Sequence, residues 1–413
     1  MLSRSYLIVT FGFGFRSLLL SVLAVLLARA LGPSAFGAYA AAASLASFFA
    51  MFSGFGAGPL HVRDVAHAKK PYVESLNRTM QWVGLSALPL AALAGGCAWL
   101  VIPHSVTPLA ITLIVLGEIL YYGASDLAMR ILQAREHYTG MTLAVCALPA
   151  LRVVIAALFF AFGILGLMSW SFVSLATGGF AFLAVFGAWG WRMRGNFGGG
   201  SAASHDTLAG LGFAVSTASS RVHGDADKVI LARLASTAIA GTYTLAYRLV
   251  DIFLLPISAG VERLLPALFK QGQHGLRESL KASAGKIALT LAFALCLCVG
   301  VYAAAYLLPW ILGAAYREAI PIAHALAAVP LTMACWVIVR TLAATSGYER
   351  ATGAFELGGA IFNVGASIML VVAWGWRGAV AATYLTHFAM VASFAAYIGY
   401  RAKFTAEASE EIW

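Results

Sequence analysis

Ten ionisable side chains stand inside runs of apolar residues. Arg16, Arg152, Arg221, Lys228 and Arg248 are basic, and Glu118, Asp126, Asp225, Asp227 and Asp251 are acidic, with Glu356 at the edge of a further run. At the centre of a lipid-facing helix each would cost about 2.5–3.5 kcal/mol on insertion scales, so each needs a wet cavity or a partner of opposite sign. The two signs suit different chemistry. A guanidinium is planar and permanently charged, and its several donors fit the oxygens of a phosphate-like anion. A carboxylate in the same setting can take up a proton or a cation. One charge moved across a membrane is worth about 2.3 kcal/mol per 100 mV, so the five acids are candidates for ion coupling.

Spacing sorts these residues further. Positions 216–228, STASSRVHGDADK, are too polar to face lipid. There Arg221, Asp225 and Lys228 fall at i, i+4 and i+7 on one helical stripe, with His223 and Asp227 beside it, which places the stretch along an aqueous cleft. Gly224 offers a place to bend. The structural reading of such charges is local pairing: Arg221 with Asp225, Arg248 with Asp251, Arg130 with Asp126. Arg16 and Arg152 have no acid within a helical turn, so they call for cargo contact or for pairing between helices.

The elements that must position these charges follow from composition. Hydrophobic residues are 61% of the 413 and charged residues 11%, against roughly 45–50% and about 25% in soluble domains. Apolar segments of spanning length lie near 6–28, 36–58, 80–102, 108–130, 141–163, 168–191, 208–232, 237–260, 286–308, 320–342, 353–374 and 378–400. The expectation is an all-α polytopic membrane protein of about twelve spans, since the alternation of a barrel is absent. With the N-terminus cytoplasmic, eighteen basic residues fall inside and four outside, at Arg29, Arg233, Arg317 and Arg377. That asymmetry supports both the layout and cytoplasmic termini.

The net charge of +10 then faces anionic membrane lipid and needs no nucleic-acid partner. Ala28-Arg29-Ala30 imitates a signal-peptide cleavage site, but Arg16 interrupts the preceding run and further spans follow, so no cleavage is expected. The five cysteines lie in apolar segments without CxxC spacing, which suggests neither disulfides nor a metal site. No GxxxxGK[ST] loop occurs. No ATPase, cofactor or catalytic residue is expected. Eight tryptophans near span ends suit interfacial belts, whereas Trp336 lies deeper and is a candidate for stacking on a sugar.

Positions 27–39 read LARALGPSAFGAY and positions 231–243 read LARLASTAIAGTY. Aligned without gaps from Val25 to Phe49 against Val229 to Phe253, the two agree at nine of 25 positions, at an offset of 204, close to half the chain. A weaker echo joins Thr139-Gly140 to Thr352-Gly353. Two six-helix halves have the same orientation, so the repeats are parallel and related by an axis along the membrane normal. The expected lobes are 1–192 and 208–413, joined by a cytoplasmic Gly/Ser-rich linker at 193–207. Under the offset Arg16 maps to position 220, beside Arg221, so the first helix of each lobe would offer an arginine to the cleft.

Leu31-Gly32-Pro33-Ser34-Ala35-Phe36-Gly37-Ala38-Tyr39 resembles the start of the bacterial polysaccharide-biosynthesis flippases of the Wzx type. So do Asp227-Lys228-Val229-Ile230-Leu231-Ala232-Arg233-Leu234, Gly241-Thr242-Tyr243, Ala246-Tyr247-Arg248-Leu249 and Pro256. The resemblance implies a MATE-like fold of two six-helix lobes in a bacterial inner membrane. It implies export of a polyprenyl-pyrophosphate-linked oligosaccharide, such as an O-antigen (lipopolysaccharide) or exopolysaccharide repeat unit, with a polysaccharide polymerase as a candidate partner. Arg16, Arg152, Arg221, Lys228 and Arg248 would then hold the pyrophosphate. The lipid II flippases of the MurJ type usually carry fourteen helices, which sets them apart. The alternative is a MATE-type ion-coupled exporter of small cations, better served by a carboxylate-dominated cleft. A membrane-bound glycosyltransferase or polymerase would want a larger external loop than the one near 309–320.

Overall fold

The computed structural model describes residues 4–67, 71–103, 106–192, 207–272 and 275–410. Without water in a bilayer the backbone must bond to itself, and the described residues form helices and turns with no strand. In chain order these are α1 (Arg4–Ala50), α2 (Ala57–Ala66), α3 (Tyr72–Val101), α4 (Pro108–Gln133), α5 (Tyr138–Ala161), α6 (Leu167–Arg192) and α7 (Thr207–Leu234). There follow α8 (Thr237–Gly272), α9 (Leu276–Ala304), α10 (Leu308–Leu312), α11 (Ala319–Ala325), α12 (Val329–Thr345), α13 (Glu349–Trp374) and α14 (Trp376–Glu410).

Large apolar side chains point outward, among them Phe11, Leu88, Phe162, Leu183, Met369 and Phe388, while alanines such as Ala28, Ala41 and Ala156 fill the interior. That inversion of the soluble pattern marks a multi-pass membrane protein, whose helices meet through small residues. Among the described residues nine helical stretches are long and apolar enough to cross a membrane, or ten if the pair 314–325 and 329–345, bent by 47°, is one span. Twelve segments are reached only if Ile8–Ala66, which counts as one stretch, is divided at its bend and α7 is added despite its polarity.

The chain divides into two compact units. The first holds Met1–Leu245 and Pro309–Arg317, and the second Ala246–Leu308 and Glu318–Trp413. In the first, α4 packs on α6, α1 on α5, and α7 on α1. In the second, α9 packs on α12 and α13 on α14. The linker expected at 193–207 lies outside the described residues except for Thr207. Trp336 is 5% exposed in the core of the second unit with Met390 and Phe394, its ring edge-on to Phe394 at 6.0 Å. Packing occupies it, so it is not available to stack on a sugar.

The two copies of the repeated phrase meet in the first unit. Helix α1 turns at Gly32, where φ is 72°, a left-handed conformation that glycine adopts without penalty. Pro33 then starts the next helical run, where its missing N–H costs nothing. Beyond this bend Ser34 Oγ lies 2.8 Å from Thr237 Oγ1. A side chain on Gly37 would strike the backbone of Thr237 and Gly241, and one on Gly241 the carbonyl of Pro33 and the backbone of Gly37. Gly37 and Gly241 are separated by the repeat offset of 204, so equivalent glycines of the two copies cross at backbone contact. Because backbone cannot rotate aside, Gly37→Val or Gly241→Val should lower stability by about 1–3 kcal/mol. The check is the thermal unfolding midpoint in detergent, with Gly179→Val, which has open space beside it, as the variant expected to change little.

Candidate functional site

One face of α4 carries a row of polar and charged side chains. Glu118, Tyr122, Asp126 and Arg130 recur every fourth residue along it, which keeps them nearly in line. Arginines from three other helices reach that face.

Arg152 of α5 and Glu118 are each 2% exposed. Arg152 Nη1 donates to both carboxylate oxygens at 2.8 and 3.0 Å, Nε to Thr177 Oγ1 at 2.9 Å, and Nη2 to the Ser174 carbonyl at 3.3 Å. Ser174 Oγ donates to the same carboxylate at 2.7 Å. The guanidinium also lies over the Tyr121 ring, 4.3 Å from its centroid, a favourable cation–π placement. An ion pair this enclosed has its hydrogen bonds and charge satisfied inside the protein. The expectation that Arg152 contacts cargo and Glu118 couples an ion therefore gives way to pairing between helices, because each already occupies the other.

The next turn is looser. Asp126 pairs with Arg130 at 3.3 Å, the side chains 43% and 25% exposed, and half-buried Arg16 of α1 is a charged neighbour of Asp126. Arg221 of α7 sits over Tyr122 at 6.0 Å. Its side chain is 40% exposed, and its ion pair to Asp225 is 3.7 Å long. The reason is competition: Lys228 Nζ reaches the other oxygen of Asp225 at 2.5 Å, with only 9% of the Lys228 side chain exposed. Arg221 thus keeps donors that its own helix does not use.

Asp227 is 3% exposed. One of its oxygens accepts the Lys228 N–H at 2.8 Å, and the Tyr243 hydroxyl is beside the carboxylate. Tyr243 follows the crossing glycine Gly241 by two residues, so this buried acid adjoins the contact between the repeats. Helix α7 runs unbroken through Gly224, which has open space beside it. Arg248 and Asp251 are half-buried on α8 in the second unit, where Glu356 pairs with Arg340 at 2.6 Å. Among the described residues no three His, Cys, Asp or Glu side chains gather as a metal site would require.

Sequence reasoning did not single out Tyr121 and Tyr122, or Ser174 and Thr177 of α6. The fourfold spacing of Glu118, Tyr122 and Asp126 was the available signal for Tyr122 alone of the first pair. The second depended on knowing which helix packs on α4.

The polysaccharide biosynthesis protein family matches residues 2–271, more than half of the chain and all the α4 and α7 residues above. This chain belongs to that family. No curated protein matches it. Among solved structures it is similar to the inward-facing conformation of a multidrug resistance MATE family transporter of the MOP superfamily, at TM-score 0.66 and 14% identity over 97% of this chain and 96% of that one. The outward-facing conformation of such a transporter gives 0.62 and 12% over 98% and 95%. The MATE multidrug transporter DinF-BH gives 0.60 and 16% over 94% and 93%. These likenesses show that a polysaccharide biosynthesis family member has the MATE fold.

Removing one partner of the enclosed pair leaves a bare buried charge, at about 3–5 kcal/mol. Arg152→Ala and Glu118→Ala should each sharply lower the unfolding midpoint, whereas Arg152→Leu with Glu118→Leu should recover much of the loss. Recovery in the double variant, read against the two singles, measures the coupling.

Proposed function

We propose that this protein is a flippase that carries a polyprenyl-pyrophosphate-linked oligosaccharide, an O-antigen or exopolysaccharide repeat unit, from the cytoplasmic to the periplasmic leaflet of a bacterial inner membrane. Both termini are cytoplasmic in this reading. The lobes 1–192 and 208–413 alternate access around the cargo, and a polysaccharide polymerase receives it. Family membership supports a role in polysaccharide assembly, and the fold is one on which transporters are built.

The observation that carries the proposal is Arg221. It is a permanent cation in the middle of α7, 40% exposed, held only loosely by Asp225 because Lys228 takes that carboxylate. A partly exposed guanidinium with spare donors suits a pyrophosphate, the one part shared by cargoes whose sugars differ. Arg16, half-buried near Asp126 on the same α4 face, is assigned the second contact, with Lys228 and Arg248 as further cations. Asp126, Asp225, Asp227 and Asp251 are the remaining candidates for ion coupling. Two of the similar solved structures are multidrug transporters, but a small cation would meet Arg221 as a repelling charge.

Reconstituted in liposomes with such a lipid, the protein should speed exposure of the glycan to a membrane-impermeant glycan-cleaving enzyme. Arg221→Ala should slow that exposure at least about tenfold, the effect of losing roughly 1.4 kcal/mol of cargo contact, and Arg221→Lys should retain part of the rate. An unchanged rate in folded Arg221→Ala would contradict the assignment, and no acceleration by the native chain under an imposed potential or ion gradient would contradict the function.

A further inference from the structure

Four basic residues fall on the outer side of the layout, against the usual bias, and three of them, Arg29, Arg233 and Arg317, belong to the first compact unit. All three are exposed, and among the described residues none forms an ion pair. Arg29 and Arg233 hold the same place in the two copies of the repeat. Their chains are tied at the Ser34–Thr237 bond, five residues beyond the first and four beyond the second, or at most about 18 Å and about 14 Å of extended chain. Arg317 is brought in from the other side of the sequence. The hydroxyl of its neighbour Tyr316, itself 1% exposed, donates to the carbonyl of Ala28 at 3.0 Å, next to Arg29. One carboxylate, exposed Glu318, follows Arg317, so the patch keeps a net positive charge.

We propose that Arg29, Arg233 and Arg317 form an anion-binding mouth that receives the pyrophosphate of the cargo as it leaves toward the outer leaflet. The inference rests on the flippase reading above. The cargo is favoured over bilayer phosphate by position. The patch crowns the ends of α1's first run and α7, the two helices that supply Arg16 and Arg221. Just inside it Leu27, Ala28, Leu231 and Ala232 are fully buried in the packed interior, while Leu234 beside Arg233 is exposed. Permanent guanidiniums suit the site because a pyrophosphate offers many oxygens and no fixed geometry. Such a patch also raises the local concentration of anions in a salt-dependent way.

The test places a cysteine at Ala235, exposed beside Arg233, in a chain whose five native cysteines are alanine, reconstituted in phosphatidylcholine vesicles. An anionic thiol reagent should modify it at least about threefold faster, relative to a neutral reagent of similar size, than in the triple variant Arg29→Gln, Arg233→Gln, Arg317→Gln. Added inorganic pyrophosphate should remove the difference. Equal reagent ratios in the two proteins, or no effect of pyrophosphate, would overturn the proposal. If phosphatidylglycerol vesicles abolish the preference and pyrophosphate cannot compete, the occupant is bilayer phosphate and the proposal also fails. Calorimetric titration of the otherwise native chain with pyrophosphate, with and without the triple substitution, gives the same decision should the cysteine-free chain not fold. A mouth that binds pyrophosphate in a protein that flips no lipid would refute the flippase reading alone, whereas flipping without binding would refute only this inference.

Discussion

A charge inside hydrocarbon must be neutralised or hydrated, and α4 separates this protein's charges into those two conditions along one face. At Glu118 the charge is neutralised: Arg152, Ser174, Thr177 and Tyr121 surround the pair so fully that nothing else can reach it. One and two turns on, at Tyr122 and Asp126, the arginines are partly exposed and loosely held. The enclosed end fastens α5 and α6 to α4, and the open end faces Arg221 of α7 and Arg16 of α1. The helices presenting the open charges meet directly, α1 packing on both α4 and α7.

The second constraint is distance. Helices in lipid gain little from burying apolar surface against one another and associate through close packing of small residues. Gly37 and Gly241 take this to backbone contact, and the Ser34–Thr237 hydrogen bond closes the same crossing. The repetition in the sequence thus has a structural consequence: each copy supplies half of a contact that neither could make alone. Tyr243 and the buried Asp227 sit two residues and one helix away from it, so a change of charge at Asp227 would be felt at the crossing.

Much of this was legible beforehand, for physical reasons. Membrane spans show because a run of about twenty apolar residues has few other uses, and α7 showed as an exception because positions 216–228 are too polar for lipid. The Arg130–Asp126 and Arg221–Asp225 contacts were readable because helical geometry fixes residues four apart. The partner of Arg152 was not, since Glu118 lies 34 positions away and only the packing of α5 on α4 brings the two together. That Lys228 would take Asp225 from Arg221 was equally hidden, because both cations stand at favourable helical spacing. The deep Trp336 misled because depth in a span does not distinguish a cleft from a core.

The chain belongs to the polysaccharide biosynthesis family and has the MATE fold, and α7 is where it meets its cargo in the proposed cycle. The most direct measurement is therefore a cysteine scan of α7 from Ser216 to Lys228 in membrane vesicles, using a water-soluble thiol reagent with and without polyprenyl-pyrophosphate oligosaccharide. The account predicts that the stripe through Thr217, Arg221 and Asp225 reacts, with a helical period, and that the cargo protects it. Uniform lack of reaction along α7, or reaction that the cargo leaves unchanged, would contradict it.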